Sequence, residues 1–211
     1  HEVRSLIAYL SGREQTPMLA TKDNAVTLFN GKDLTGWTGD PKLWSVENGE
    51  LVGKTTTGIR HNAWIVSELA ADDFHLPFEV KLVGNEGNSG MQFRSEAIED
   101  GEVKGYQADI GAGWWGKLYE EHGRALLWPK SGEEYVKKGD WNKDEIIARG
   151  SKIVTKINNN TCVDLDDPKG ARRGIFAPQL HSGGPTEVRF RNFKLEVFEP
   201  EHDDHEHAGG E

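Results

Sequence analysis

The feature that most constrains this chain is its punctuation. From Val26 onward, short apolar stretches recur about every ten residues, each closed by glycine, asparagine or proline. In "LWSVENGELVG" apolar runs flank Asn48 and Gly49, two residues that tolerate positive φ, so the segment predicts a tight hairpin. "FEVKLV" alternates strictly, with Phe78, Val80 and Leu82 one way and Glu79 and Lys81 the other. "IVTKINNNTCVDLDD" predicts a second hairpin with Asn158 to Asn160 at its tip, and "TEVRFRNFKLEVFE" a long final strand or strand pair. No long helical period interrupts this rhythm. The expected fold is all-β, a sandwich or barrel.

The two ends differ. Val3, Leu6, Ile7 and Leu10 repeat at helical spacing, so residues 1–12 predict a short helix, either packed on the main domain or ending an upstream one. Residues 13–24 then read as a linker, and 25–198 as the sandwich. Residues 199–211 hold six acids and no lysine or arginine. That segment is too polar to bury and is expected to be a disordered, solvated tail, its histidines included.

Charge and composition narrow the function. The net charge is −10, of which the tail carries −6, so the body is only mildly acidic. No basic stripe suits a phosphate backbone, which argues against nucleic acid. No apolar run approaches the roughly 20 residues of a membrane helix. One cysteine, Cys162, excludes an internal disulfide and a cysteine-based zinc site. The acids of "DLDDP", Asp164 to Asp167, read as a turn rather than a calcium loop, so neither metal nor cofactor is expected. The chain begins at His1 and reads as a processed or trimmed fragment, so a missing signal peptide says nothing of compartment.

Strand alternation sorts the polar residues by face. In "NSGMQFRSE", Met91 and Phe93 point to the core, leaving Gln92, Arg94 and Glu96 opposite. In "GYQADI", Tyr106, Ala108 and Ile110 point in and Gln107 and Asp109 out. In "GIFAPQLH", Phe176 and Leu180 point in and Gln179 and His181 out. If these strands adjoin, they form a bed of amides, carboxylates and a guanidinium. The stretch "GYQADIGAGWWGKLYEEHGR" adds Trp114, Trp115, Tyr119 and Glu120 at its rim. Flat rings beside planar polar groups suit a sugar. A plain cross-strand ion pair between Arg94 and Asp109 is the ordinary alternative.

The motifs also carry a resemblance. "LFNGKDLTGW", "LWSVENGELVG", "GNSGMQFRSE", "GYQADIGAGWWGKLYEE", "GDWN" and "APQLHSGGPTEVRFRNFKL" occur in that order. Together they resemble the DUF1080 family, whose members are called 3-keto-disaccharide hydrolases, over roughly Ala25 to Phe198. The resemblance implies a concanavalin A-like jelly-roll, a two-sheet antiparallel sandwich, and a sugar or 3-keto-glycoside ligand. "EVRSLIAYL" resembles the terminal helix of a c-type cytochrome domain, but no Cys-x-x-Cys-His is present, so no haem attaches. That likeness implies an extracytoplasmic parent protein.

A ketone at C3 would acidify the C2 proton and allow elimination of the C1 oxygen. The candidate base is His181, with Arg94 at the enolate oxygen. Asp109, Glu96 or Glu120 would orient the histidine or protonate the leaving group. Gln92, Gln107, Gln179, Trp115 and Tyr119 are candidate sugar contacts, with Glu96 among them if it plays no acid role. Carboxylate-pair hydrolysis is the rival route, although the E-x-D-x-(x)-E signature of sandwich glucanases is absent. A non-catalytic lectin-like module is the rival function.

Overall fold

A computed structural model describes residues 16–199. Its strands follow the punctuation. β1 (Met18–Leu19) and β2 (Trp37–Thr38) precede the hairpin of β3 (Trp44–Glu47) and β4 (Glu50–Thr55). Three brief strands follow, β5 (Ala63–Trp64), β6 (Val66–Ser67) and β7 (Leu69–Ala71). Then come the long β8 (Phe74–Leu82), β9 (Asn88–Ala97) and β10 (Val103–Gly111). β11 (Leu118–Glu121) and β12 (Ala125–Trp128) form the next hairpin. β13 (Asn142–Arg149), β14 (Lys152–Ile157) and β15 (Asn160–Asp166) make a meander. β16 (Gly174–Leu180), β17 (Thr186–Arg191) and β18 (Glu196–Val197) close the chain. The only helical turns among the described residues are 3-10.

Two sheets result. The front sheet runs β1-β7-β16-β9-β10-β11-β12, with β5 added beside β16. The back sheet runs β15-β14-β13-β8-β17-β4-β3, with β18 added beside β8. Both predicted hairpins form, and their tips are the residues expected: Asn48 and Gly49 in one, Asn158 and Asn159 in the other, all at positive φ. β8 alternates buried and half-buried along its whole length, as its sequence predicts. Its inward rings meet those of the front sheet, Phe74 edge-on to Phe93 and to Phe176 at 6.2 and 4.9 Å. That shared core fixes which side of each front strand faces out.

Met18 and Leu19, inside the expected linker, pair in parallel with Leu69 and Ala70 and so belong to the sheet edge. The predicted helix over residues 1–12 and the tail beyond Glu199 lie outside the described residues.

Candidate functional site

The outer face of the front sheet brings together four of the expected residues. Register sets Gln92 opposite Gln107, and Asp109 opposite Gly90. Gln179 belongs to the adjoining strand, where Pro178 pairs with Met91. Gly90 is the hole in this bed. A Cβ there would sit 2.5 Å from Gln107 Cδ, so the Gln107 side chain lies across the glycine. It donates from Nε2 to Asp109 Oδ1 at 2.8 Å and to Gln179 Oε1 at 3.2 Å. Gln92 Nε2 donates to Val103 O at 3.3 Å.

Trp64, Val66, Ala70, Val103, Ile175 and Ala177 form a separate apolar cluster. By alternation they share this outer face, and beside them Gln92 and Gln179 are fully buried. Gln92 Oε1, Gln107 Oε1, Gln179 Nε2, Asp109 Oδ2 and Trp64 Nε1 have no hydrogen-bond partner among the described residues. Such groups normally find one, so this bed has open bonding capacity concentrated in one place.

Chemistry gathers at its Asp109 end. Burial pushes the Asp109 carboxyl up to about 7; the Gln107 hydrogen bond opposes the shift, Glu121 adds to it and Lys117 opposes it. Burial also raises Glu121, with Glu102 adding to the shift and His122 and His181 opposing it. Glu121 therefore acts on Asp109 and feels His181, and Lys117 acts on Asp109. Perturbed carboxyls beside other titratable groups cluster at functional sites.

Two loops hold His181. Its backbone N–H donates to Asn88 O at 3.1 Å, which fixes it at the start of β9. Its Nδ1 lies 2.7 Å from Ser182 O. A carbonyl only accepts, so in the neutral ring Nδ1 carries the proton and Nε2 is left as the basic nitrogen. Ser182 N–H donates to Asn62 Oδ1 at 2.8 Å, and Ile59 and Gly183 exchange two backbone bonds. Gly58 permits this clasp: its φ is +82°, and a Cβ there would lie 1.9 Å from Gly183 O.

Four expected residues lie elsewhere. Arg94 sits in a β-bulge, where it and Ser95 together oppose Gly105, between the pairs Tyr106–Phe93 and Lys104–Glu96. Its φ is +46°, and its side chain is turned away from the amide bed. Arg94 Nε donates to Asp72 O at 2.8 Å, Nη1 to Gly150 O at 2.7 Å and Nη2 to Asp73 Oδ1 at 2.9 Å. With Nη1 also donating to Ala171 O at 3.4 Å it ties three loops, and it stands six residues, about 20 Å, along β9 from Asn88, which holds His181. It is not a donor at the Asp109 end. Glu96 is displaced by the same bulge; it is exposed and pairs loosely with Lys104 at 3.9 Å.

Glu120 pairs with Tyr106, whose ring is in the core, so it faces away from Gln107. Arg124 holds it in place and lowers its pKa. Trp115 is a core residue, 1% exposed, with Nε1 donating to Asn85 Oδ1 at 2.9 Å. Tyr119 pairs with Gln107 and so shares the face of the amide bed.

Sequence reasoning missed Glu121 and Lys117, and set Trp114 at the rim without counting it among the sugar contacts. Glu121 pairs with Gly105, two residues along from the Tyr119–Gln107 pair and so on the same face. Asp109 N–H donates to Lys117 O at 3.1 Å, which extends that register to Lys117. Trp114 is 39% exposed, and its ring meets Tyr119 edge-on at 6.4 Å. Of the "DLDDP" acids, Asp167 binds Arg124 and Tyr106, and its pKa falls to about 2.

A two-sheet lectin-like sandwich with an amide bed and a titratable cluster on one outer face defines a carbohydrate-active or carbohydrate-binding domain. The chain belongs to the 3-keto-alpha-glucoside-1,2-lyase-like domain family, whose profile matches residues 24–196. Among solved structures it is similar to a protein of Parabacteroides distasonis ATCC 8503 provisionally assigned as a glycosyl hydrolase. That likeness has a TM-score of 0.62 at 20% identity and covers 89% of this chain and 100% of that one. It is also similar to the carbohydrate-binding module CBM66 of Bacillus subtilis, with a TM-score of 0.62 at 19% identity, covering 80% and 99%. A Bacillus subtilis protein of unknown function with a galectin-like fold aligns with a TM-score of 0.55 at 11% identity, covering 77% and 89%. These likenesses show the fold. No curated protein matches the chain.

Proposed function

We infer that the protein cleaves glycosides whose sugar carries a ketone at C3. The observation that carries this reading is the titratable cluster at the Asp109 end of the outer face. A C3 ketone makes the C2 proton removable by an imidazole, and His181 Nε2 is the base. The electrons of the C2–H bond pass into the enolate, whose oxygen Lys117 stabilises in the place expected of Arg94. The enolate then collapses: C1=C2 forms, the C3 carbonyl returns, and the C1–O bond breaks with its electron pair leaving on oxygen. Asp109, protonated up to about pH 7, supplies that oxygen with a proton. Water adds across C1=C2 and releases the free 3-keto sugar. The family's own description supports this chemistry.

A second reading has its own support. Asp109 and Glu121 are two raised carboxyls that feel each other, as an acid and its partner do in direct glycoside hydrolysis. Incubation with a 3-keto glucoside and with its unoxidised counterpart tests both. Elimination predicts free sugar from the first alone. Cleavage of both at similar rates favours the carboxyl pair, and binding without cleavage of either makes the protein a lectin-like module.

A further inference from the structure

The outer face continues past Asp109 into an apolar surface that the acid–base groups do not use. Leu126 on β12 pairs with Tyr119 and so shares its face. Trp114 stands beside them, with Lys117 Nζ 4.9 Å from its ring centroid. Leu126 and Trp114 are 40% and 39% exposed. The other large apolar side chains left in solvent among the described residues are Met18, Leu19 and Val26, far back in the sequence. Trp115 already fills the core beneath this turn, so Trp114 has no packing duty there. Exposed apolar groups gathered at the edge of a polar bed mark a binding surface.

We propose that Trp114, Tyr119 and Leu126 seat the leaving group, and that this group is a flat, unsaturated aglycone such as an aryl ring, rather than a second hexose. The inference rests on the reading that bond cleavage occurs at Asp109. Lys117 joins the two places, since its carbonyl pairs with Asp109 N–H while its ammonium lies over Trp114. A hexose would need several directional partners for its hydroxyls. The chemistry takes up Glu121 and the Lys117 ammonium, which leaves it the Tyr119 hydroxyl. A leucine and an edge-packed aromatic pair instead suit a ring that stacks and sheds water. The bond changes are those given above, with a phenoxide oxygen leaving C1 and taking the Asp109 proton.

The test separates this inference from the reading beneath it. Binding is measured by calorimetry with unoxidised phenyl glucoside and with unoxidised methyl glucoside, neither of which can eliminate. Turnover is measured with the 3-keto forms of both. We expect phenyl glucoside to bind at least tenfold tighter than methyl glucoside. Trp114→Ala and Leu126→Asn should each cut that preference by several-fold, with melting temperatures showing that both variants fold. The turnover ratio of the two keto substrates should fall in parallel. Equal binding of the two glucosides, or a preference untouched by both variants, overturns the aglycone seat. If no keto glycoside is cleaved but the Trp114-dependent preference is present, the elimination reading fails and the seat stands.

Discussion

At the residue scale, Asp109 and His181 carry the chemistry. The folded-state pKa of Asp109 is raised, from 3.8 to about 7. Such a group binds its proton in the folded protein while the unfolded chain has already lost it. Its contribution to stability is complete below pH 3.8 and is lost as pH rises through about 7. Asp109→Asn removes that loss. Its melting temperature, compared with wild type, should be relatively higher at pH 8 than at pH 4; a gap that does not change with pH contradicts the assigned burial. The same group sets the alkaline limb of activity, so turnover of the keto substrate should fall as pH rises through about 7. His181→Ala should lower kcat by roughly 10²–10⁴-fold, the usual share of general acid–base catalysis, while calorimetry still finds unoxidised glucoside bound. Undiminished turnover would remove His181 from the mechanism.

Which residues could be read at this scale follows from alternation. Gln92, Gln107, Asp109 and Gln179 were legible because no irregularity interrupts the strands between them. Glu120 and Tyr119 are neighbours in a strand, so they cannot share a face. Once the structure pairs Tyr119 with Gln107, Glu121 rather than Glu120 shares that face; the turn before β11 hides this register from the sequence. Trp114 and Trp115 lie on a turn, where no period tells which ring goes inward.

At the scale of elements, two local devices govern the site. The first is the clasp at His181. Gly58→Ala must place a methyl group against Gly183 O at a positive φ, a strain of about 1–3 kcal/mol. The chain should still fold, with kcat lowered more than substrate affinity; unchanged kcat would show that the clasp does not position the imidazole. The second device is the bulge in β9. It turns Arg94 away from the amide bed and joins it to Asp73 and the carbonyls of Asp72 and Gly150. Arg94→Ala leaves the carbonyls of Asp72 and Gly150 without that donor and the half-buried Asp73 carboxylate with the Gly150 N–H alone, at a cost of roughly 1–3 kcal/mol. Urea unfolding should show that loss, while the fraction still folded turns over at near wild-type rate. A catalytic defect without a stability defect would restore Arg94 to the chemistry. The sequence carried one sign of this bulge, Gly105 inside an otherwise regular strand. A Cβ there would lie 2.3 Å from Ser95 Oγ.

At the scale of the whole molecule, the two sheets divide the work. The back sheet supplies the opposing core, and its outer face is covered with ion pairs such as Arg189 to Glu47, Glu50 and Glu187. The front sheet holds the bed, the titratable cluster and the aromatic rim. The sandwich was legible because turn residues and period-two alternation are local signals. The arrangement of non-sequential strands such as β16 beside β9 was not, because pairing across 80 residues leaves no local mark. The central claim is that a proton leaves C2. It is tested by a 3-keto glucoside carrying deuterium at C2, compared with the same substrate kept without protein. The account predicts that the released sugar has lost the label to solvent, while the unoxidised glucoside stays intact. A released sugar that keeps all its C2 deuterium would contradict it.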